Sequence, residues 1–150
     1  MLTIDYLPIG VIHSPFKSPD SAPLQPNQAR GAKGRIELEA MYEEGLSDLR
    51  TFSHIILIYH FHLTRGYSLK IKTPHDATTR GVFATRTSAR PNPIGLSIVR
   101  LESIDRSTVH ISDVDVVDGT PLLDIKPFVP SLARQRGAKM GWLMDVLYDV

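Results

Sequence analysis

The sequence predicts a mainly β fold, in which one sheet closes into a barrel or two sheets pack as a sandwich. Short runs of alternating and β-branched residues recur along the chain. No long amphipathic helix separates these runs, which favours a closed sheet or a sandwich. A chain of 150 residues, 42% of them hydrophobic, is sufficient for one domain with its own core.

Six runs carry the strand pattern. In chain order they are IDYLPIGVIHS, GRIELEA, FSHIILIYHFHL, GVFATR, IGLSIVRLESI and STVHISDVDVV. The best helical candidate is MYEEGLSDLR, residues 41–50, which is short and interrupted by Gly45, so we expect it to link two strands. The pair Asp118-Gly119 before PLLDIKP is a tight-turn signal, and residues 108–126 therefore predict a hairpin.

The connections predict a single domain over residues 1–150. Residues 14–33 are rich in Pro, Ser and Gln and lack periodicity, so we expect a long surface loop there. The core is expected within residues 1–130, and residues 131–150 form a C-terminal tail. Trp142 is expected to pack this tail onto the barrel or onto a second subunit.

The composition limits location and function class. The absence of cysteine excludes disulfides, thiolate metal ligands and cysteine nucleophiles, and it is consistent with a cytoplasmic protein. A net charge of +1 argues against general nucleic-acid binding and leaves a local basic patch open. The N-terminus does not have the pattern of a signal peptide, and no stretch approaches the ~18 apolar residues of a membrane span.

Charges are segregated along the second half of the chain. Residues 77–101 contain no acidic residue, and they include four arginines: Arg80, Arg86, Arg90 and Arg100. The next segment is acidic, with Glu102, Asp105, Asp113, Asp115, Asp118 and Asp124. If the two segments pack together, arginine and carboxylate pairs are expected, either as ordinary surface salt bridges or as a site. Arginine also suits the backbone phosphates of RNA.

The stretch ATRTSARPNPIG contains a rigid corner. Pro91 and Pro93 restrict their own φ angles and favour extended conformations at Arg90 and Asn92, so a guanidinium and an amide are presented in fixed directions. Gly95 permits a close approach of the backbone at the start of the next strand. The corner is either a binding element or a barrel corner whose prolines block edge pairing.

Other chemistry is weakly supported. His60 and His62 would share one face of a strand, but no neighbouring carboxylate completes a metal site, so metal binding is not expected. Asp124 and Lys126 also share a face and are expected either to handle a proton or to pair with each other. The sequence contains neither a Gly-x-Ser-x-Gly elbow nor a dinucleotide or phosphate-binding glycine motif.

The chain resembles the TsaA-like family of tRNA threonylcarbamoyladenosine methyltransferases in five sequence blocks that occur in order. These blocks are GVIHSPF, FSHIILIYHFH, GVFATRTSARPNPIGLS, DVDVVDGTP and DIKPFVP. The resemblance implies a small single-sheet β-barrel, a homodimer and S-adenosylmethionine bound without a Rossmann fold. It also implies transfer of the methyl group to the exocyclic nitrogen of threonylcarbamoyladenosine next to the anticodon of tRNA. Many bacterial members continue into a further C-terminal domain, so the acceptor of this chain stays open.

The resemblance also implies site residues. The cofactor-binding positions that match are Ser14, Pro15, Phe16, Ser53, His54, Arg86, Leu96, Ser112, Asp113, Val114 and Asp115. Candidates for holding the substrate or handling a proton are Arg90, Asn92, Asp118, Asp124 and Lys126. Two alternatives remain open, namely a methyltransferase with a different acceptor and a module that binds S-adenosylmethionine or RNA without turnover.

Overall fold

A computed structural model describes residues 1–23, 29–73 and 77–147. Within this part of the chain, six antiparallel strands form a closed barrel in the order β1-β2-β7-β6-β3-β8. The barrel strands are β1 (Gly10–His13), β2 (Lys33–Leu38), β3 (His54–His60), β6 (Ile94–Asp105), β7 (Thr108–Ser112) and β8 (Thr120–Pro127). Two further strands, β4 (Lys70–Lys72) and β5 (Thr79–Gly81), pair as a separate two-stranded ribbon.

The helical elements are short. The 3-10 segments cover Pro19–Ser21, Ala40–Leu46, Leu49–Thr51 and Val82–Ala84. The tail contains two short α-helices, α1 (Pro130–Ala133) and α2 (Leu143–Leu147). The prediction of a mainly β fold is therefore confirmed. Of the two predicted architectures, a barrel and a sandwich, the chain adopts the barrel.

The alternating pattern of the strands produces the core. Each barrel strand points every second side chain inward, and apolar side chains from all six strands meet at the centre. One fully or almost fully buried residue from each strand, in chain order, is Ile12, Ile36, Ile55, Val99, Ile111 and Leu122. Burial of such side chains contributes about 1.5 to 3 kcal/mol each, which makes this layer a major source of stability.

Two local predictions were wrong. Residues 108–126 are not a hairpin, because β7 pairs with β2 and β6 whereas β8 pairs with β1 and β3. The run GVFATR is not a barrel strand, since only its glycine ends β5 and the next three residues form a 3-10 turn. The short helical link expected at residues 41–50 is confirmed as a 3-10 segment between β2 and β3, although it continues through Gly45.

The barrel closes through the short strand β1. Gly10 pairs with Leu38 of β2 on one side and with Leu122 of β8 on the other. A Cβ atom at Gly10 would lie 2.5 Å from the carbonyl oxygen of Glu37, so the neighbouring backbone fits only a glycine. Residues 14–32 then run from β1 to β2 as the long connection that the sequence predicts, although residues 24–28 lie outside the described residues.

Gly95 allows an equally close contact inside the barrel. A Cβ atom there would lie 2.2 Å from Cε2 of Tyr59 and 2.8 Å from Cζ of Phe61. The two rings meet edge to face with centroids 5.4 Å apart, so they form a rigid block over the glycine. The predicted close approach at Gly95 is confirmed, and its cause is the aromatic ring of the neighbouring strand.

We therefore predict that Gly95→Ala lowers the free energy of unfolding by about 1 to 3 kcal/mol, because overpacking forces the Tyr59 ring to move. Urea unfolding followed by circular dichroism measures this change. Gly45→Ala is the matched control, since a Cβ atom at Gly45 meets nothing within 4 Å. Equal stability of the two variants would contradict the packing argument.

Candidate ligand-binding site

A cavity of about 500 Å³ opens at the end of the barrel where β3 ends and β6 begins. Aromatic rings of Tyr59, Phe61 and Trp142 form much of its apolar wall. Its charged groups include Arg86 and Asp115, which face the same space. A concave, largely apolar site with a few convergent polar groups is typical of small-molecule binding.

A buried hydrogen-bond chain leads to the carboxylate in this cavity. Ser97 Oγ donates to Asp115 Oδ1 at 2.6 Å, and the Tyr59 hydroxyl lies 2.8 Å from Ser97 Oγ. Because the single Ser97 proton is used by Asp115, Tyr59 must donate to Ser97. Burial raises the pKa of Tyr59 to about 12, so the phenol keeps its proton throughout the physiological range. The chain fixes the direction of the Asp115 carboxylate.

Residues Thr85 to Ser88 line the cavity, and the predicted corner of residues 90–93 follows them without lining it. Arg86 Nη2 donates to the carbonyl of Leu96 at 3.2 Å, which holds this exposed guanidinium near the cavity. Arg90 Nη1 donates to the carbonyls of Thr85 and Thr87, each at 3.1 Å. Arg90 therefore closes its own loop, whereas the side chain of Asn92 is exposed.

The residues after β1 are tied to Asp118. The backbone N–H of Ser14 donates to this carboxylate at 3.0 Å, and the ammonium group of Lys17 donates to it at 2.8 Å. In return, the N–H of Asp118 donates to the carbonyl of Phe16 at 2.7 Å. The hydrogen bond from Lys17, followed by that from Ser14, lowers the pKa of Asp118 to about 2. Asp118 thus fixes the predicted block of Ser14, Pro15 and Phe16, with Pro15 itself exposed.

The segment after β7 has a structural role at three of its four predicted positions. Ser112 Oγ donates to Glu102 Oε1 at 2.5 Å, and Asp113 accepts the N–H of Gly31 at 2.7 Å. Val114 is fully buried in the core. Of this segment, only Asp115 lines the cavity.

The remaining predicted residues lie on the outside of the barrel. Cross-strand pairs on β8, β3 and β6 place Asp124, Ile58 and Leu96 in one row and Lys126, Ile56 and Ile98 in the next. His54 begins the third row beside Arg100, and its Nδ1 lies 2.8 Å from Ser53 Oγ. We call this surface the β3–β6 outer face. Asp124 and Lys126 pair with each other at 2.8 Å, and this bond raises the pKa of Lys126.

The structure therefore does not bring the predicted site residues together. Some lie at the cavity, at the end of β1 or on the β3–β6 outer face, whereas Ser112, Asp113 and Val114 support the barrel. Sequence reasoning missed Tyr59, Ser97 and Phe61. The available signal was the period of two, because Ser97 is a polar residue at an inward position between Gly95 and Val99. An inward hydroxyl in a small barrel requires a partner.

The expected pairs between the arginine segment and the acidic segment are not found among the described residues. Arg86 and Arg90 donate to carbonyls instead, and Asp118 pairs with Lys17. The reason is that residues 113–118 are used to anchor the connections of the barrel. His62 lies beyond the end of β3, so it does not continue the face of His60.

The described part of the chain contains no group of three or more His, Cys, Asp or Glu side chains with the arrangement of a metal site. None of the helices in that part is long and apolar enough to span a membrane. Trp142 is fixed by a hydrogen bond from its Nε1 to the carbonyl of Ala84 at 2.9 Å and by the Arg80 guanidinium 4.7 Å from its ring, so it packs the tail against residues 80–84.

The fold and the cavity define a class of small, non-Rossmann β-barrel domains with a ligand site at the mouth of the barrel. Residues 11–133 match the model of the tRNA-methyltransferase O N-terminal domain. The chain belongs to this family, which confirms the resemblance inferred from its motifs.

Individual relatives agree with this assignment. The chain is 49% identical over 142 residues to a Pyrococcus abyssi protein described as a probable S-adenosyl-L-methionine-binding protein, covering 95% of this chain and 77% of the relative. It is 37% identical to the tRNA (adenine(37)-N6)-methyltransferase of Escherichia coli, covering 87% of this chain and 60% of that enzyme. The crystal structure of TrmO from Pseudomonas aeruginosa superposes with a TM-score of 0.79 at 39% identity, covering 93% of this chain and 62% of that chain.

The low pKa of Asp118 predicts a pH dependence of stability. Because its folded pKa of about 2 lies below the ordinary aspartate pKa of 3.8, Asp118 stabilises the fold fully at pH values well above 3.8 and loses this contribution as the pH falls through 2. We expect Asp118→Asn to cost about 1 kcal/mol at pH 7, a value reduced by solvent screening, and to cost almost nothing near pH 2. Urea unfolding at both pH values measures this. Asp105→Asn, at the exposed end of β6, is the control, and a loss that does not change with pH would contradict the assignment.

Proposed function

We propose that this protein is a methyltransferase that uses S-adenosylmethionine to methylate the exocyclic N6 of an adenosine next to the anticodon of tRNA, with threonylcarbamoyladenosine as the acceptor. The observation that carries the proposal is the oriented Asp115 carboxylate inside the cavity of a tRNA-methyltransferase O domain. The relative from Escherichia coli is named for methylation of adenine 37.

The cavity fits the proposed cofactor in size and chemistry. Its volume of about 500 Å³ lies within the range of small-molecule sites. Among the described residues only Oδ1 of Asp115 is shown with a hydrogen bond, so Oδ2 can accept hydrogen bonds from ribose hydroxyls or from an ammonium group. The rings of Tyr59, Phe61 and Trp142 suit a sulfonium cation and a purine. When bound, S-adenosylmethionine would supply an electrophilic methyl group; its transfer to N6 would break the bond from that carbon to sulfur, release the thioether S-adenosylhomocysteine and pass one proton from N6 to water.

The contribution of the protein to this reaction is mainly positional. A direct displacement requires the nucleophile, the methyl carbon and the sulfur in line, and such alignment can supply roughly 7 kcal/mol or more. Arg86 is held beside the cavity by Leu96, so it is suited to an anionic group of the cofactor. The exposed amide of Asn92 is available to the acceptor, while Arg90 keeps the intervening loop in its conformation.

The other residues proposed for the site divide by environment. Asp118 supports the chain around Ser14 and Phe16, so we assign it to positioning rather than to proton transfer. Asp124 and Lys126 form an exposed ion pair on the β3–β6 outer face and reach an acceptor only if that face takes part in the site. Ser53 and His54 are subject to the same condition.

A homodimer satisfies that condition. The β3–β6 outer face exposes a continuous apolar surface, on which Ile94, Leu96 and Ile98 are 46 to 47% exposed. Contiguous apolar patches rimmed by polar residues are typical of protein interfaces. We propose that a second copy covers this face and brings its own cavity edge toward Leu96 and His54, so that the ligand site is completed between two subunits.

A binding protein without turnover is the second candidate. It is favoured by the relatives that match this chain over most of their own length, because one of them, 36% identical over 125 residues, is described as an S-adenosyl-L-methionine-binding protein. The chain spans only 60% of the Escherichia coli enzyme. For either function we propose a cytoplasmic location, which agrees with the absence of cysteine.

The decisive experiment is calorimetric titration with S-adenosylmethionine, followed by transfer of labelled methyl to tRNA with and without the threonylcarbamoyl group. Methylation only of the modified tRNA supports the proposal, methylation of both changes the acceptor, and binding without transfer favours the binding protein. Absence of binding would refute all three readings.

Asp115→Asn tests the carboxylate within the same assay. We expect the Kd for S-adenosylmethionine to rise about tenfold or more, because a charge-assisted hydrogen bond is replaced by a neutral one. Asp105→Asn, outside the cavity, is expected to leave the Kd within about twofold. An unchanged Kd in Asp115→Asn would remove this residue from the cofactor site.

The dimer is tested by Ile98→Glu. A carboxylate in the centre of the β3–β6 outer face should prevent association, because burying it unpaired costs several kcal/mol or about a hundredfold or more in affinity. Light scattering should give a dimer for the original protein and a monomer for the variant. Arg106→Glu, at the turn between β6 and β7, is the control for added negative charge. A monomeric original protein, or a dimeric Ile98→Glu variant, would contradict the proposed interface.

A further inference from the structure

We propose that the two-stranded ribbon of β4 and β5, with the residues that lead into it, is an RNA-binding surface beside the cavity. Arg65, Lys70 and Lys72 would contact phosphates, and Tyr67 would stack on a base. The inference rests on the proposed function in one respect, namely that the acceptor is an RNA.

The charge of this region is one-sided. Between Asp48 and Glu102 the sequence contains a single acidic residue, Asp76. Arg65, Lys70 and Lys72 are all exposed, and no ion pair of the described residues involves them. Cations that have no internal partner can neutralise the phosphates of a nucleic acid. The counterions condensed on those phosphates are then released, which is the main electrostatic source of affinity for nucleic acids.

The ribbon holds these cations in a fixed arrangement. Lys70 and Lys72 lie two residues apart on β4, so they share a face with a separation of about 7 Å. Their cross-strand partners are Gly81 and Thr79, which carry no charge and cover little of the lysine side chains. The base of the ribbon is anchored by a hydrogen bond of 2.9 Å from the N–H of Val82 to the carbonyl of Leu69.

The ribbon is continuous with the proposed reaction site. Ile71, Lys72 and Thr73 belong to the cavity wall, together with Arg86 and Asp115. A nucleic-acid backbone that lies along β4 therefore passes the mouth of the cavity within one nucleotide or two. An adenosine turned out of its stack would then enter the cavity while its neighbours stay on the ribbon.

An aromatic residue distinguishes RNA from an acidic protein as the partner. Tyr67 is 56% exposed and precedes the two lysines by three and five residues. Leu69, which lies between Tyr67 and Lys70 in the sequence, is 61% exposed and adds an apolar contact. Cations interleaved with exposed aromatic rings are the arrangement that binds single-stranded loops, in which bases are available for stacking. An acidic peptide would use the charges and leave the Tyr67 ring without a partner.

The test measures RNA binding independently of turnover. Fluorescence anisotropy with a labelled anticodon stem-loop, carried out on the full chain at several salt concentrations, gives the Kd and its salt dependence. For Lys70→Gln/Lys72→Gln we expect about tenfold weaker binding and a slope of log K against log salt that is lower by about one to two. Tyr67→Ala should weaken binding about fivefold or more with an unchanged slope, because stacking is not a counterion effect.

The controls separate this inference from the proposed function. Arg106→Gln removes a cation at the far end of the barrel and should change the Kd by no more than about twofold. Calorimetry with S-adenosylmethionine should be unchanged in Tyr67→Ala, in Lys70→Gln alone and in Arg106→Gln, which excludes misfolding, because none of these three residues lines the cavity. Equal losses in the ribbon variants and in Arg106→Gln overturn the inference, as does tighter binding of polyglutamate than of the stem-loop at the same salt. Lack of stem-loop binding by the original protein also overturns it, while cofactor binding continues to test the proposed function by itself.

Discussion

The contact between Gly95 and Tyr59 is the constraint on which the site depends. Only a residue without a Cβ atom lets the Tyr59 ring lie against β6 at this level of the barrel. From that position the phenol reaches Ser97, two residues further along the same inward face. Ser97 in turn holds Asp115, so a packing requirement in the core determines the direction of a charged group at the surface of a cavity. Structure and candidate chemistry are joined here by two hydrogen bonds.

The connection between β7 and β8 also contributes both to the core and to the site. This segment spans the barrel instead of making a hairpin, and Val114 and Val116 bury themselves in the core as it passes. Its polar residues alternate with these valines, and each has a separate task. Asp113 holds the far end of the long loop, Asp115 faces the cavity, and Asp118 holds the near end of the loop. The acidic stretch is therefore best understood as a connection that organises two loops and one wall of the site.

The sequence was sufficient for the class of fold and for the alternation inside each strand, because both depend on local period and on burial. It was insufficient for the pairing of strands. The turn at Asp118-Gly119 exists, with Gly119 at a φ of 83°, but a turn signal does not say which strands it joins. The family motifs identified Arg86 and Asp115, which line the cavity, whereas Leu96 and His54 lie on the β3–β6 outer face. The role of Ser97 was not predicted, because a single serine in an apolar run belongs to no motif.

The two anchors of the long loop have a consequence for sequence variation. Lys17 is tied down at one end by Asp118, and Gly31 is tied down at the other by Asp113. Both ties are made to a segment that belongs to the barrel, so the positions of the loop ends do not depend on the number of residues between them. The entropic cost of closing a loop grows slowly, by about 0.6 kcal/mol for each doubling of its length. Insertions between Pro23, which lines the cavity, and the buried Ala29 should therefore be tolerated, so homologous chains can differ in length there while their barrels stay alike.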